Sequence, residues 1–125
     1  MKKITQTSNA PKAIGPYSQA TVYQNLIFCS GQLPLDPETM EIVGSTAAEQ
    51  TKQVMENLSA VLEATGTSLE KVLKCTIYVK DLKDFASINE VYGSYFPQNP
   101  PARATVEVSR LPKDALVEIE CVAAQ

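Results

Sequence analysis

Arg103 stands in the run P-A-R-A-T-V-E-V, from Pro101 to Val108, where it places a permanent positive charge at the mouth of an apolar strand. A guanidinium meets a carboxylate or phosphate through two parallel hydrogen bonds, whereas an ammonium offers only a point charge. The residue type therefore points to an anionic ligand. On its own it reads as a surface or ion-pair arginine, which is where most arginines sit. Farther along, Glu118 and Glu120 alternate with Val117, Ile119 and Cys121. Taken in isolation, both glutamates read as solvated strand residues or as ion-pair partners of Lys113 or Arg110.

What is missing narrows the chemistry further. The chain has no histidine, which removes both the commonest metal ligand and the commonest neutral-pH base. Cys29, Cys75 and Cys121 are far apart and offer no C-x-x-C pair, so no metal site is expected, and no Gly-rich phosphate loop is present. Each cysteine lies in an apolar or alternating stretch, which predicts buried free thiols rather than bridges. The net charge is -3, without a Lys/Arg block or basic residues interleaved with aromatics, and this disfavours a nucleic-acid surface. No apolar run approaches the roughly 20 residues that span a bilayer, and M-K-K-I-T-Q-T-S-N lacks the apolar stretch of a signal peptide. A cytoplasmic protein without a membrane partner is the expectation.

The elements that must position these residues follow from periodicity. A chain of 125 residues with 44% hydrophobic content fits one domain, residues 1–125. Pro11, Gly15 and Pro16 mark a loop that delivers Tyr17 and Ser18 to the next strand. Val22 to Tyr23 and Leu26 to Ser30, separated by Gln24-Asn25, read as a hairpin. After an irregular connection, Ser45 or Thr46 can cap a helix with Glu49 at capping-box distance. That helix, Ala47 to Ala64, carries Ala47, Val54, Leu58, Val61 and Leu62 on one face, and Gly66 ends it. Ser68 to Lys71 reads as a turn and Val72 to Val79 as a strand. A second helix spans about Phe85 to Phe96, stopped by Pro97, Pro100 and Pro101. Thr105 to Ser109 and Leu116 to Ala123 are the closing strands.

The order β-β-α-β-α-β-β predicts an α+β sandwich with two helices on one face of a mixed sheet. Two helices cover one face only. In the last two strands Val106 and Val108 alternate with Thr105 and Glu107, and Val117, Ile119 and Cys121 with Glu118 and Glu120, so one face is expected to carry the apolar side chains of both strands and the other the carboxylates beside hydroxyls. A mixed face of this kind suits either a solvated surface or a subunit interface with pockets in it.

Five segments, taken together, have a family resemblance. They are A-I-G-P-Y-S-Q-A (Ala13 to Ala20), F-C-S-G-Q-L-P (Phe28 to Pro34), Y-V-K-D-L-K-D-F (Tyr78 to Phe85), P-A-R (Pro101 to Arg103) and R-L-P-K-D-A-L-V-E-I-E (Arg110 to Glu120). In order and spacing they resemble the Rid family, also known as YjgF/YER057c/UK114, over nearly the whole chain. Within it the sequence is most similar to the archetypal reactive-intermediate deaminase branch. The resemblance implies a chorismate-mutase-like fold that associates as a homotrimer with sites at the subunit boundaries. It also implies a cofactor-free enzyme that hydrolyses 2-imino acids and their enamine tautomers to 2-keto acids and ammonia.

It assigns residues as well. Arg103 becomes the carboxylate-binding residue, which agrees with the bidentate chemistry of a guanidinium. Glu118 becomes the residue that positions or activates water, a role that partial burial would favour by strengthening a weak base. Glu120 is left structural. Tyr17 lines the pocket wall, Ser30 offers a hydroxyl near the substrate nitrogen, and Asn89 lies near the site. Backbone groups at Gly31 and Thr105 help orient the ligand, and Gly31 is suited to close approach because it has no Cβ. From the residues alone, Tyr17 also reads as a packed loop-end tyrosine, Ser30 as turn chemistry and Asn89 as an exposed helix amide. One departure stands out: Thr105 replaces a cysteine common in this branch, so a thiol role is ruled out while a backbone N–H role survives. Short aliphatic imines are the expected substrates. Two other functions remain open, a non-catalytic trimer that binds small carboxylates or regulates amino-acid metabolism, and an endoribonuclease or translation inhibitor.

Overall fold

The computed structural model describes residues 1–125. A six-stranded mixed sheet carries both long helices on one face. Its strands are β1 (Lys3–Thr5), β2 (Ala20–Tyr23), β3 (Leu26–Gln32), β4 (Val72–Val79), β5 (Ala102–Glu107) and β6 (Val117–Ala124). They lie in the order β1-β2-β3-β6-β4-β5. Only the β4–β5 pair is parallel, as required of strands joined through a crossover helix. The helices are α1 (Ala47–Ala64) and α2 (Phe85–Ser94). No helix is long and apolar enough to cross a membrane.

Local chemistry sets the helix ends. Thr46 caps α1 by accepting from Glu49 N–H, and the Glu49 carboxylate returns to the Thr46 N–H, a complete capping box. Gly66, at φ 88°, takes the left-handed conformation past the last turn. Val54, Met55, Leu58, Val61 and Leu62 of α1 are fully buried against Ile27, Ile77, Val117 and Ile119 of the sheet. Three polar residues of α1 join that buried face. Asn57 donates to the carbonyls of Leu33 and Leu35, while Gln50 donates to Gly44 O and accepts from Leu116 N–H. These bonds anchor the end of β3 and the start of β6.

The structure corrects the expected elements at several points. An additional strand, β1, precedes the hairpin and pairs Ile4 with Thr21. α2 ends at Ser94 rather than Phe96. β5 begins at Ala102 rather than Thr105, so Arg103 lies inside a strand, opposite Cys75. The facing of β5 is also inverted. Val106 pairs with Tyr78 and is exposed on the sheet face away from the helices, while Arg103 and Thr105 face α2. Arg110 pairs with Asp114 and not with a strand glutamate.

Cys29, Cys121 and Cys75 are direct neighbours across β3, β6 and β4, free and buried on the helix side. Burial pushes the Cys75 thiol up. The Cys121 thiol rises too, through its hydrogen bond with Cys29 and its burial, so both stay protonated and chemically quiet.

Candidate active site

The seven site residues expected from sequence separate into two groups. Arg103, Thr105 and Asn89 gather where the edge strand β5 meets α2. Arg103 Nη1 donates to Asn89 Oδ1 at 2.6 Å. The guanidinium carbon lies 5.5 Å from the Phe85 ring centre and 5.2 Å from that of Tyr92, distances at which an aromatic quadrupole attracts a cation. Phe85, Asn89 and Tyr92 follow at helical spacing on one face of α2. Both ion pairs of the chain, Lys83–Asp81 and Arg110–Asp114, lie elsewhere. Arg103 is thus held by neutral groups and keeps an uncompensated charge. Two residues on and facing the same way, the Thr105 hydroxyl is enclosed without a hydrogen-bond partner.

Tyr17, Ser30, Gly31 and Glu118 form the second group, around a cleft of about 510 Å³ that Lys12, Leu35, Met40 and Lys113 also border. The loop bearing Tyr17 is fixed by the buried Gln19, which donates to the carbonyls of Thr7 and Pro11 and accepts from Thr7 N–H. Ser30 Oγ donates to Ser18 O at 2.6 Å, and Ser30 N–H to Gln19 O. Ser30 and Gly31 occupy a bulge where the β3–β6 register shifts, a device that re-aims side chains at strand ends. Gly31 has a more specific reason to be glycine than ligand approach. A Cβ there would collide with the Glu118 carboxylate, which sits directly over it. Glu118 is half buried, and its carboxyl is pushed above the usual range first by desolvation and then by the charge of Glu120. Glu120 accepts a hydrogen bond from the Tyr78 hydroxyl.

One chain does not bring the two groups together. Arg103 lies in the cross-strand row with Cys75 and Cys121, and Glu118 is three residues from Cys121 on a strand whose side chains alternate. At normal sheet spacings the two backbones are about 14 Å apart, and their side chains leave opposite faces. Within one chain, the residues expected to line a single pocket therefore form two separate groups.

The match to known proteins covers the same span as these residues. The family model described as Endoribonuclease L-PSP matches residues 7–125. A RutC family protein of Pyrococcus horikoshii is 57% identical over 123 residues, 98% of each chain. The chain belongs to the Rid family. Reactive Intermediate Deaminase A, chloroplastic, of Arabidopsis thaliana is 47% identical to this Rid chain over 122 residues, 98% of this chain and 65% of that protein. Among solved structures, a putative endoribonuclease of Thermotoga maritima superposes with a TM-score of 0.97 at 50% identity, covering 100% of this chain and 98% of that one. E. coli TdcF with bound serine gives a TM-score of 0.94 at 42% identity, with 98% of each chain covered. The fold is the chorismate-mutase-like fold of these Rid proteins.

Sequence reasoning missed Phe85, Tyr92 and Lys12. The F-x-x-x-N-x-x-Y spacing within the expected second helix was the available signal for the first two. Lys12 had none, because the path of its loop depends on Gln19 bonding across the chain.

Proposed function

We propose that this Rid chain is a 2-iminobutanoate/2-iminopropanoate deaminase, acting in sites assembled where the β5 edge of one subunit meets the Glu118 cleft of the next in a homotrimer. The observation that carries the reading is the uncompensated guanidinium of Arg103, held in place by an amide and two aromatic rings. A charge so placed is reserved for an external anion, and the carboxylate of a 2-imino acid matches its fork. Holding that carboxylate fixes the adjacent C=N carbon.

Glu118 then takes a proton from water as its oxygen adds to that carbon, and the C=N electrons go to nitrogen, which is protonated. The resulting carbinolamine loses its C–N bond, its hydroxyl proton passes to nitrogen, and keto acid and ammonia leave. The enamine tautomer enters the same sequence after protonation at C3. A base with raised proton affinity suits this relay, because it must both take and return a proton near neutral pH. Tyr17 and Ser30 border the same cleft as Glu118. No step calls for a metal or an organic cofactor.

The deaminase name of the Arabidopsis relative supports the reaction class, and the serine held by the E. coli neighbour supports an amino-acid-like carboxylate as ligand. The endoribonuclease reading has less support here, since the chain carries a net charge of -3 without a Lys/Arg block to neutralise a phosphate backbone. The deciding test couples a threonine dehydratase, which makes 2-iminobutanoate, to semicarbazide trapping. Diversion of imine from trap to keto acid is the expected result. Lack of diversion over a panel of imino acids, with pyruvate binding intact, would refute the deaminase reading in favour of a carboxylate-binding module.

A further inference from the structure

Glu118 has a companion on its strand. Glu120, two residues on, projects from the same outer face, and Tyr78 lies directly opposite Glu118 in the β4–β6 register. The Tyr78 hydroxyl nevertheless passes over its register partner and donates to Glu120 Oε1 at 2.5 Å. A phenol bonded to Glu118 would occupy the base. Bonded to Glu120, it leaves Glu118 without a hydrogen-bond donor and fixes a second carboxylate beside it. Gly31, Tyr78, Arg110, Glu118 and Glu120 border one cleft on this face. Arg110 neutralises neither glutamate, because its Nε and Nη2 are taken by Asp114 at 2.6 and 3.2 Å.

Given Glu118 as the base, we infer that Tyr78 and Glu120 form a positioning pair for it: the phenol fixes the Glu120 carboxylate, and the fixed charge keeps Glu118 able to hold a proton between its removal from water and its delivery to nitrogen. Burial and the Glu120 charge act on Glu118 in the same direction. The bond to Glu120 also pushes the Tyr78 phenol up, so it remains a donor throughout the working pH range. Other ionisable groups around the pair come from each neighbouring element. Tyr17 and Lys12 belong to the N-terminal loop, Arg110 and Lys113 to the turn before β6, and Lys2 and Lys74 flank Glu120, while β3 adds no ionisable side chain on this face, its Cys29 thiol being buried on the helix side.

The test is the pH profile of kcat/KM in the trapped-imine assay for Glu120→Gln, Tyr78→Phe and the double variant, with Glu118→Gln alongside. The single substitutions preserve shape, and thermal melting verifies folding. Removing the Glu120 charge should move the acid limb down by about 0.5 to 1 pH unit, as expected for a half-screened charge about 7 Å away. Turnover at neutral pH should fall roughly 3- to 10-fold as the base weakens. Tyr78→Phe should shift the limb less and in the same direction, and should add nothing in the double variant, because it acts only through Glu120. An unmoved acid limb in Glu120→Gln, or full additivity in the double variant, would overturn the inference while leaving Glu118 as the base. Full activity in Glu118→Gln would instead remove the base itself, and the pair's role with it.

Discussion

Asn89→Asp is the most discriminating single change in the Arg103 group. It keeps the shape of the side chain and replaces the neutral acceptor, 2.6 Å from Arg103 Nη1, with a charged one. The wild-type bond already has one charged partner, so the exchange adds only the attraction of an exposed ion pair. That addition strengthens the internal bond by at most about 1 kcal/mol. A ligand carboxylate must then share a guanidinium already neutralised and approach a second anion, which costs about 1 kcal/mol more at an effective dielectric of about 60 and a separation of about 5 Å. The total of about 2 kcal/mol is a roughly 30-fold rise in Kd for pyruvate. Asn89→Ala loses only the orienting bond and should raise Kd by roughly 2- to 10-fold. Isothermal titration of pyruvate into the three proteins should rank affinity as wild type, then Asn89→Ala, then Asn89→Asp. If Asn89 served only to immobilise the arginine, a carboxylate would do it better. Affinity in Asn89→Asp equal to or above that of Asn89→Ala would refute the argument that Arg103 is kept uncompensated for its ligand.

Gly31→Ala should fold normally, because the new methyl meets the movable end of Glu118, yet turnover should fall by roughly 10²-fold with little change in pyruvate binding; equal turnover would show that the carboxylate is not used where it sits. Glu118→Gln should raise the melting temperature at neutral pH. The carboxyl has a folded-state pKa above its unfolded value, so its protonated form is compatible with folding, and stability is lost as pH rises through the folded pKa. Removing the charge restores that stability, and the gain should vanish below the ordinary glutamate range, at about pH 4. Sedimentation should give about three times the 13.6 kDa chain mass, and Val106→Lys, on the exposed sheet face, should shift it toward the monomer with loss of turnover and retention of helical signal. A stable, active monomer would sink the shared-site reading.

Elements written in local sequence were the legible ones. The α1 helix announces itself through Thr46, Glu49 and the spacing of Val54, Leu58, Val61 and Leu62, all of which act within a few residues. β1 does not, since Lys3, Ile4 and Thr5 form a strand only by pairing with β2. Ala102 to Ala104 contain no β-branched residue, and their extension comes from the parallel ladder with β4. Alternation alone placed Val106 with the apolar side chains of β6. The structure places it outward because α2 offers Arg103 an amide and two rings on the inner side. Family resemblance supplied the seven site residues, but their division into two groups rests on sheet order and on the Ser30–Gly31 bulge, neither of which a single strand's sequence encodes.

The opposite facing of Arg103 and Glu118 has a genetic reading. In the homotrimer proposed above, a reaction that uses both residues belongs to a boundary between chains, because within one chain they leave opposite faces of the sheet. Two alleles, one lacking the arginine and the other the glutamate, would each be dead alone. Co-expressed, they would recover activity, since every mixed ring of three contains one boundary with both residues intact, and random mixing at equal dose restores roughly a quarter of the sites. Specific activity would likewise fall on dilution, as the boundaries come apart before the folds do.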